Sequence, residues 1–165
     1  MLVKPTLIVE DVTCIDVDWL HAQGIEGFIF DLDNTIMAPR SGILEERVEA
    51  WLQKIQTAGF KCIVVSNNPR AVYIKEAEAC LNFPAIGNAG KPRRKHLRRA
   101  LEMLGLDAAQ VVVVGDRPLT DIWGGQRLGA HTILVDPLTK ATESPLIQSL
   151  RRLERLFVKP VDRLT

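Results

Sequence analysis

The stretch Phe28-Ile29-Phe30-Asp31-Leu32-Asp33-Asn34-Thr35 places two carboxylates, one residue apart, directly after a short apolar run. The run begins at Gly27 and shows no polar alternation, which is typical of a strand buried on both faces of a parallel sheet. Two like charges about 4 Å apart repel by roughly 1 kcal/mol in water and roughly 4 kcal/mol at an effective dielectric constant of about 20. We therefore expect a cation or a shared proton to accompany Asp31 and Asp33. The alternative is that both are solvated loop acids that cap a helix.

Short apolar runs alternate with longer amphipathic stretches along the rest of the chain. The further apolar runs lie at residues 62–65, 111–114 and 132–135, with a short edge strand expected at residues 85–86. Apolar residues at helical spacing lie at residues 43–58, 70–81, 93–104, from Thr120 or Asp121 to Gly129, and at 144–157. This alternation predicts an α/β fold, a single doubly wound parallel sheet with helices on both faces.

The length of 165 residues predicts one domain, residues 1–165, because a chain of this size buries enough surface for one core. Residues 1–24 are expected to form a lead-in to that domain. The three cysteines have no metal-ligand spacing and are interpreted as small core residues in a reducing compartment. The sequence shows neither a signal-peptide pattern nor an apolar run of membrane-spanning length. We therefore expect a cytoplasmic protein, attached at most peripherally to the inner face of the membrane.

Two segments concentrate positive charge in a chain whose net charge is +1. Residues 91–99 hold six Lys and Arg and no acid, which indicates a solvated helix face or a surface for anionic lipid headgroups or phosphorylated substrates. Within residues 144–165, the C-terminal helix has an apolar stripe and a separate stripe of Arg151, Arg152 and Arg155. It is expected either to dock on the domain through its apolar stripe or to lie on anionic lipid or on a partner. No feature indicates nucleic-acid binding.

Polar residues follow three of the predicted buried strands. Asp31 follows the first, Ser66 the second, and Gly115-Asp116 the third. In an open parallel sheet, ligands bind beyond the carboxyl ends of the strands, at the point where the strand order reverses. We therefore expect these residues to meet in one crevice.

Four segments, taken in chain order, resemble the four motifs of the haloacid dehalogenase superfamily. They are Asp31-Leu32-Asp33-Asn34-Thr35, Val65-Ser66-Asn67, Gly90-Lys91-Pro92, and Gly115-Asp116-Arg117 followed by Asp121. The resemblance spans residues 28–125. It implies a doubly wound parallel sheet and, for the phosphatase members, Mg²⁺ and an aspartyl-phosphate intermediate.

The resemblance implies roles for the four acids. Asp31 matches the nucleophile, and Asp33 matches the general acid and base that protonates the leaving oxygen and then activates water. Mg²⁺ would be held by Asp31, the backbone carbonyl of Asp33 and Asp116, which are the oxygen ligands that this ion prefers. Asp121 matches a residue that positions a metal-bound water or Lys91. Its structural alternative is a helix N-cap.

Three further residues match donors to the phosphoryl oxygens. Ser66 offers a hydroxyl and Lys91 a positive charge where negative charge is spread in the transition state. Asn67 is a candidate for another donor. Structural alternatives remain open for two of them, Ser66 as a strand cap and Lys91 as one more cation of its basic run. Thr35 is expected to shape the loop rather than to touch the substrate.

The spacing of the motifs bears on the substrate. About ten residues separate Thr35 from the next helix, and about 25 separate Ser66 from Lys91, so neither place has room for a cap domain. An open site suits a large or membrane-held phosphomonoester, because a small substrate needs enclosure to exclude water. Within the superfamily, the segment from Gly115 to Asp121 most resembles the YqeG-type subfamily, which is related to phosphatidylglycerophosphate phosphatases. That resemblance implies conversion of phosphatidylglycerophosphate to phosphatidylglycerol.

Other functions fit parts of the same pattern. The same site could act on a soluble sugar phosphate, a nucleotide or a phosphoprotein. A phosphoacceptor signalling domain also uses a parallel sheet, clustered acids and a Lys, but its phosphorylated Asp follows a later strand, where this chain has Ser66 and Asn67. A P-loop enzyme is disfavoured because no Gly-Lys is followed by Ser or Thr.

Overall fold

A six-stranded parallel sheet forms the centre of the structure, a computed structural model that describes residues 2–161. The strands are β1 (Leu7–Val9), β2 (Gly27–Phe30), β3 (Lys61–Val65), β4 (Ala85–Ile86), β5 (Val111–Gly115) and β6 (His131–Val135). Across the sheet their order is β1-β6-β5-β2-β3-β4. The strand order therefore reverses at β2, which pairs with β3 on one side and with β5 on the other.

Helices cover both faces of this sheet. They are α1 (Val17–Ala22), α2 (Glu46–Thr57), α3 (Ala71–Leu81), α4 (Lys95–Leu104), α5 (Trp123–Leu128) and α6 (Pro145–Arg155). Short 3₁₀ turns lie at Val12–Cys14 and Ala108–Gln110, and a π-helical turn at Pro118–Ile122 leads into α5. Helices α1, α2 and α3 pack over Phe28 and Phe30, whereas α4 packs over Ile29 and Val113. The doubly wound α/β fold predicted from the alternating pattern is thus confirmed.

The side chains of β2, the strand that precedes the first two carboxylates, lie deep in the core. Phe28, Ile29 and Phe30 are almost completely buried. The Phe28 and Phe30 rings stack with their centroids 5.0 Å apart, and Trp51 of α2 meets both rings edge-on. Burial of each such side chain stabilises the fold by roughly 1.5–3 kcal/mol. The end of β2 is therefore a rigid support for the loop that begins at Asp31.

The N-terminal segment, which was expected only to lead into the domain, contributes a strand to the sheet. Its strand β1 pairs with β6 through three residues, at the edge opposite β4. Three residues are too few for hydrophobic periodicity to identify a strand. Helix α1 follows, capped by the Asp16 side chain, which accepts a hydrogen bond from the Trp19 backbone amide at 3.0 Å. Asp is a preferred N-cap residue, so Asp16 is a sequence signal for the start of a short helix.

The expectation of no cap domain is confirmed within residues 2–161. Residues 36–45 form a loop that leads into α2, and the span between Ser66 and Lys91 holds α3 and β4. No helix of this described part has the length and apolar content needed to cross a bilayer. Met1 and residues 162–165, which include the end of the predicted C-terminal segment, lie outside the described residues.

Helix α6 docks on the protein, but the expectation that docking would bury its apolar stripe is wrong. The apolar stripe of α6 comprises Leu146, Ile147, Leu150 and Leu153, and continues through Leu156 and Phe157 directly after the helix. Each of these side chains is at least 44 % exposed. The opposite, charged face makes the contacts instead. Arg155 pairs with Asp136, and Arg151 pairs with Asp116 at 2.6 Å. Acidic side chains in the loops after β5 and β6 thus hold the charged face of α6 against the protein.

Candidate active site

The carboxyl ends of β2, β3 and β5 open into one cleft of about 940 Å³. Every residue that the sequence predicted for the site lines it: Asp31, Asp33, Ser66, Asn67, Lys91, Asp116 and Asp121. These residues come from four separate segments of the chain. They meet because parallel strands end at the same edge of the sheet and the strand order reverses there.

Lys91 occupies the centre of this cleft, and its side chain is only 2 % exposed. The Nζ atom donates hydrogen bonds to Asp31 Oδ1 at 2.8 Å and to Asp121 Oδ1 at 2.6 Å. Burial alone would lower the pKa of Lys91, but the Asp121 and Asp31 carboxylates raise it above its ordinary value. The ammonium group is therefore a permanent positive charge at neutral pH.

Asn67 holds the Lys91 loop in place. Its Oδ1 accepts a hydrogen bond from the Lys91 backbone amide at 2.7 Å, and its Nδ2 donates one to the Lys91 carbonyl at 3.1 Å. A side-chain amide carries two N–H donors, so one of them is left for another acceptor. The side chain thus orients the loop, and its predicted role as a donor to substrate stays a prediction.

Three carboxylates surround the same point. Asp31, Asp116 and Asp121 each place one oxygen so that the three atoms lie within 4.8 Å of one another. Burial, together with repulsion from Asp121, raises the pKa of Asp31 to about 8 and that of Asp116 to about 6, although Lys91 and Arg151 respectively oppose these shifts. Burial is the larger cause of both raised pKa values, and repulsion among the three acids adds to it.

The chemistry of this donor set fits a divalent metal ion. Hard divalent cations such as Mg²⁺ bind carboxylate oxygens, and their charge favours the ionised form of each acid. Asp121 belongs to the carboxylate cluster itself, together with Asp31 and Asp116. The family resemblance had implied only that Asp121 positions a metal-bound water or Lys91.

Gly115 allows Asp121 to reach Lys91. A Cβ atom at Gly115 would lie only 2.3–2.4 Å from atoms of the Asp121 side chain, which is far inside van der Waals contact. Asp121 is also anchored by its other oxygen, since Oδ2 accepts a hydrogen bond from the Arg117 backbone amide at 3.1 Å. Glycine is therefore needed at the end of β5 for steric reasons.

Asp33 lies apart from the carboxylate cluster and has its own donors. The Tyr73 hydroxyl donates to Asp33 Oδ1 at 2.8 Å, and Asn68 Nδ2 donates to Oδ2 at 3.2 Å. Burial and the hydrogen bond to Asp33 raise the pKa of Tyr73, so the phenol stays protonated and remains a donor. Sequence reasoning missed both donors. A polar position in the first turn of the helix after the second motif was the available signal for Tyr73.

Ser66, which lines the cleft, and Thr35 are both buried. The Ser66 Oγ accepts a hydrogen bond from the Asn68 backbone amide at 3.1 Å, which leaves its hydroxyl proton free to be donated. The Thr35 hydroxyl lies 3.5 Å from Asp116 Oδ1, at the outer limit of a hydrogen bond. Thr35 therefore contacts Asp116, one of the predicted metal ligands.

Arg151 of α6 is the largest departure from the predicted site. Its guanidinium donates to Asp116 Oδ2 at 2.6 Å and to both carboxylate oxygens of Glu143 at 2.8 and 2.9 Å. Three exposed cations, Arg40, Arg70 and Arg117, also line the cleft. No sequence signal placed Arg151 here, because a basic stripe on an amphipathic helix is equally compatible with solvent.

Comparisons with known proteins agree with this geometry. Residues 88–145 match a family described as HAD-hydrolase-like. The chain is 32 % identical over 159 residues to the "Probable phosphatase YqeG" of Bacillus subtilis (strain 168), and the match covers 96 % of this chain and 91 % of that protein. It is also 32 % identical over 165 residues to the "Phosphatidylglycerophosphate phosphatase 1, chloroplastic" of Chlamydomonas reinhardtii. That match covers 95 % of this chain but only 61 % of the algal protein.

Solved structures support the fold. A crystal structure of an uncharacterized protein from Listeria monocytogenes serotype 4b superposes with a TM-score of 0.56 at 19 % sequence identity. The superposition covers 81 % of this chain and 98 % of the Listeria chain. At this level of identity the similarity concerns the arrangement of the sheet and helices.

Proposed function

Because this chain belongs to the YqeG-type phosphatases of the haloacid dehalogenase superfamily, we propose that it is a Mg²⁺-dependent phosphomonoesterase acting on the headgroup of phosphatidylglycerophosphate. One observation carries the catalytic part of the proposal: Lys91 joins Asp31 to Asp121 in an open cleft that Asp33 also lines. The lipid part draws support from the named activity of the algal relative.

In the proposed reaction, Asp31 attacks the phosphorus atom of the ester. A new bond forms between its carboxylate oxygen and phosphorus while the bond to the leaving oxygen breaks. Asp33 gives its proton to that leaving oxygen and later takes a proton from the water that attacks the aspartyl phosphate, so that inorganic phosphate leaves and Asp31 is restored. The hydrogen bonds from Tyr73 and Asn68 orient Asp33 for both transfers.

Positive charge and donors stabilise the phosphoryl oxygens during both steps. Lys91 and Ser66 are positioned to serve this role, and Asp121 holds Lys91 through a contact of 2.6 Å. Asp31, the backbone carbonyl of Asp33 and Asp116 would hold Mg²⁺, which would supply positive charge to offset the repulsion between the carboxylates and the phosphate. Arg151 orients Asp116 through an ion pair of 2.6 Å.

The substrate is tested by turnover on phosphatidylglycerophosphate in vesicles, measured as phosphate release with Mg²⁺ and with a chelator. We expect release with Mg²⁺ to exceed that with the chelator by at least about 10³-fold, because charge neutralisation is lost when the metal is removed. A panel of soluble sugar phosphates, nucleotides and a phosphopeptide is the control. Faster turnover, as kcat/KM, on any soluble compound contradicts the lipid assignment, and full activity with the chelator contradicts the metal requirement.

Replacing Tyr73 by Phe tests the proposed role of Asp33. The change keeps the ring and removes the hydroxyl donor at 2.8 Å. A hydrogen bond to a charged group contributes roughly 1.5–3 kcal/mol, so kcat is expected to fall about tenfold or more. A kcat within about twofold of the wild-type value would show that Tyr73 plays only a packing role.

A further inference from the structure

Helix α6 makes contacts through one face and leaves the other uncovered. Its charged face is bound to the protein by Arg151 and Arg155, and its single acid, Glu154, is turned inward to Arg117. The apolar stripe of α6 faces away, and within residues 2–161 nothing covers it. Surface helices of soluble proteins normally turn their apolar stripe towards the core. The reversed orientation therefore presents an apolar surface to something outside the described chain.

We infer that the apolar stripe of α6 is a docking surface for an anionic lipid bilayer. A helix with Leu and Phe on one side and Arg on the other has the composition of helices that lie in the membrane interface. In this chain the arginines that face the protein hold α6 in place, so the stripe is fixed on the outside. The inference deepens the proposed function, on which it rests for its link to catalysis.

Charge at the edge of the stripe favours lipid over a second protein. Arg152 lies four residues before Leu156 and so borders the stripe on the helix surface, and Lys159 follows two residues after Phe157. Both are exposed, and neither forms an ion pair with any other described residue. No acid of α6 faces outward with them. An apolar strip with a cationic border is complementary to acyl chains beneath anionic headgroups.

The position of the stripe relative to the cleft connects docking to catalysis. Ile147 belongs to the stripe and also lines the cleft, together with Arg151 of the same helix. A bilayer against the stripe would therefore lie beside the cleft entrance. A headgroup phosphate could then reach Asp31 and Lys91 while its acyl chains stay in the membrane.

The test is flotation with vesicles of phosphatidylcholine alone and of phosphatidylcholine containing phosphatidylglycerol. The wild-type chain is expected to float with the anionic vesicles and to be released by salt, which screens charge. Replacing Leu150 and Leu153 by Gln should lower the vesicle partition at least about tenfold, because two apolar side chains no longer enter the interface. Both residues are more than half exposed, so the folded structure and the turnover of p-nitrophenyl phosphate should not change.

Met103→Gln is the matched control. Met103 is 45 % exposed near the end of α4, where Leu104 accepts a hydrogen bond from Lys61, the first residue of β3. It therefore lies at the edge of the sheet opposite the cleft. Vesicle binding of this variant should stay within about twofold of the wild-type value, because its apolar side chain lies outside the stripe.

Two results would overturn the inference. The first is a double variant that partitions like the wild type. The second is a wild-type dimer in sedimentation equilibrium that becomes monomeric in the double variant, without vesicle binding, since the occupant would then be a second copy. Asp31→Asn should float like the wild type. If the wild type floats with anionic vesicles but does not hydrolyse phosphatidylglycerophosphate, the substrate proposal is wrong and the docking inference is retained.

Discussion

Asp31→Asn is expected to abolish phosphate release from every phosphomonoester, with a loss in kcat of at least about 10⁴-fold. The amide oxygen of Asn carries no negative charge and cannot form a stable bond to phosphorus. The fold should survive, because Asn Oδ1 can still accept the hydrogen bond that Lys91 donates at 2.8 Å. Phosphate release and the thermal unfolding midpoint are the two measurements.

The matched control for this variant is Asp18→Asn on α1. Asp18 is exposed, and the change is chemically the same, so kcat and thermal stability should both match the wild type. We also expect a rapid quench to detect a burst of bound phosphate in the wild type and none in Asp31→Asn. Residual turnover above about 1 % of wild type would contradict an aspartyl-phosphate route, because a side-chain amide at this position cannot supply the covalent step.

Lys91→Met is expected to destabilise the protein by about 3–5 kcal/mol, the range for breaking a buried ion pair from one side. Methionine is apolar and of similar length, so the main change is the loss of the ammonium group between Asp31 and Asp121. Both carboxylates are then buried without their shared partner. Activity should fall at least about 10³-fold, because the positive charge facing the phosphoryl oxygens is removed. Urea denaturation reports the free energy of unfolding.

A double-mutant cycle separates this charge effect from simple loss of packing. Adding Asp121→Asn to Lys91→Met removes one of the two carboxylates that the loss of Lys91 leaves unpaired. The double variant should therefore be more stable than Lys91→Met alone. Lys54→Met on the exposed face of α2 is the control and should change stability by less than about 0.5 kcal/mol. Equal destabilisation by the Lys54 and Lys91 variants would mean that the ion pairs do not hold the site together.

Much of the candidate site was predictable because its residues sit at strand ends. An apolar run buried on both faces identifies a central strand, and the residue after it must lie at the carboxyl edge of the sheet. Asp31, Ser66 and Asp116 could be placed together for this reason. Lys91 lies on a loop without a long strand before it, and its position depended on the family resemblance. The structure then showed that Asn67 holds that loop through both atoms of its amide.

Supporting residues were less predictable, since their roles depend on packing between distant segments. Tyr73 reaches Asp33 only because α3 starts close to the carboxyl end of β3. Strand β1 pairs with the distant β6, for example at Leu7 and Ile133, and three residues carry too little pattern to reveal such a pairing. Local periodicity reports which faces of an element differ, and it contains no information about the element that each face meets.

Helix α6 shows most clearly which features the sequence determines and which depend on the tertiary structure. The amino-acid sequence by itself determined a helix with an apolar stripe and an arginine stripe, the parallel sheet, and the acids at its carboxyl edge. Only the tertiary structure decided which stripe faces inward. Asp116 of the loop after β5 and Asp136 and Glu143 of the loop after β6 form a negative surface that binds the arginines of α6. These ion pairs hold the charged face of α6 against the protein and exist only once the loops are assembled, so the helix sequence alone could not assign the face that points outward.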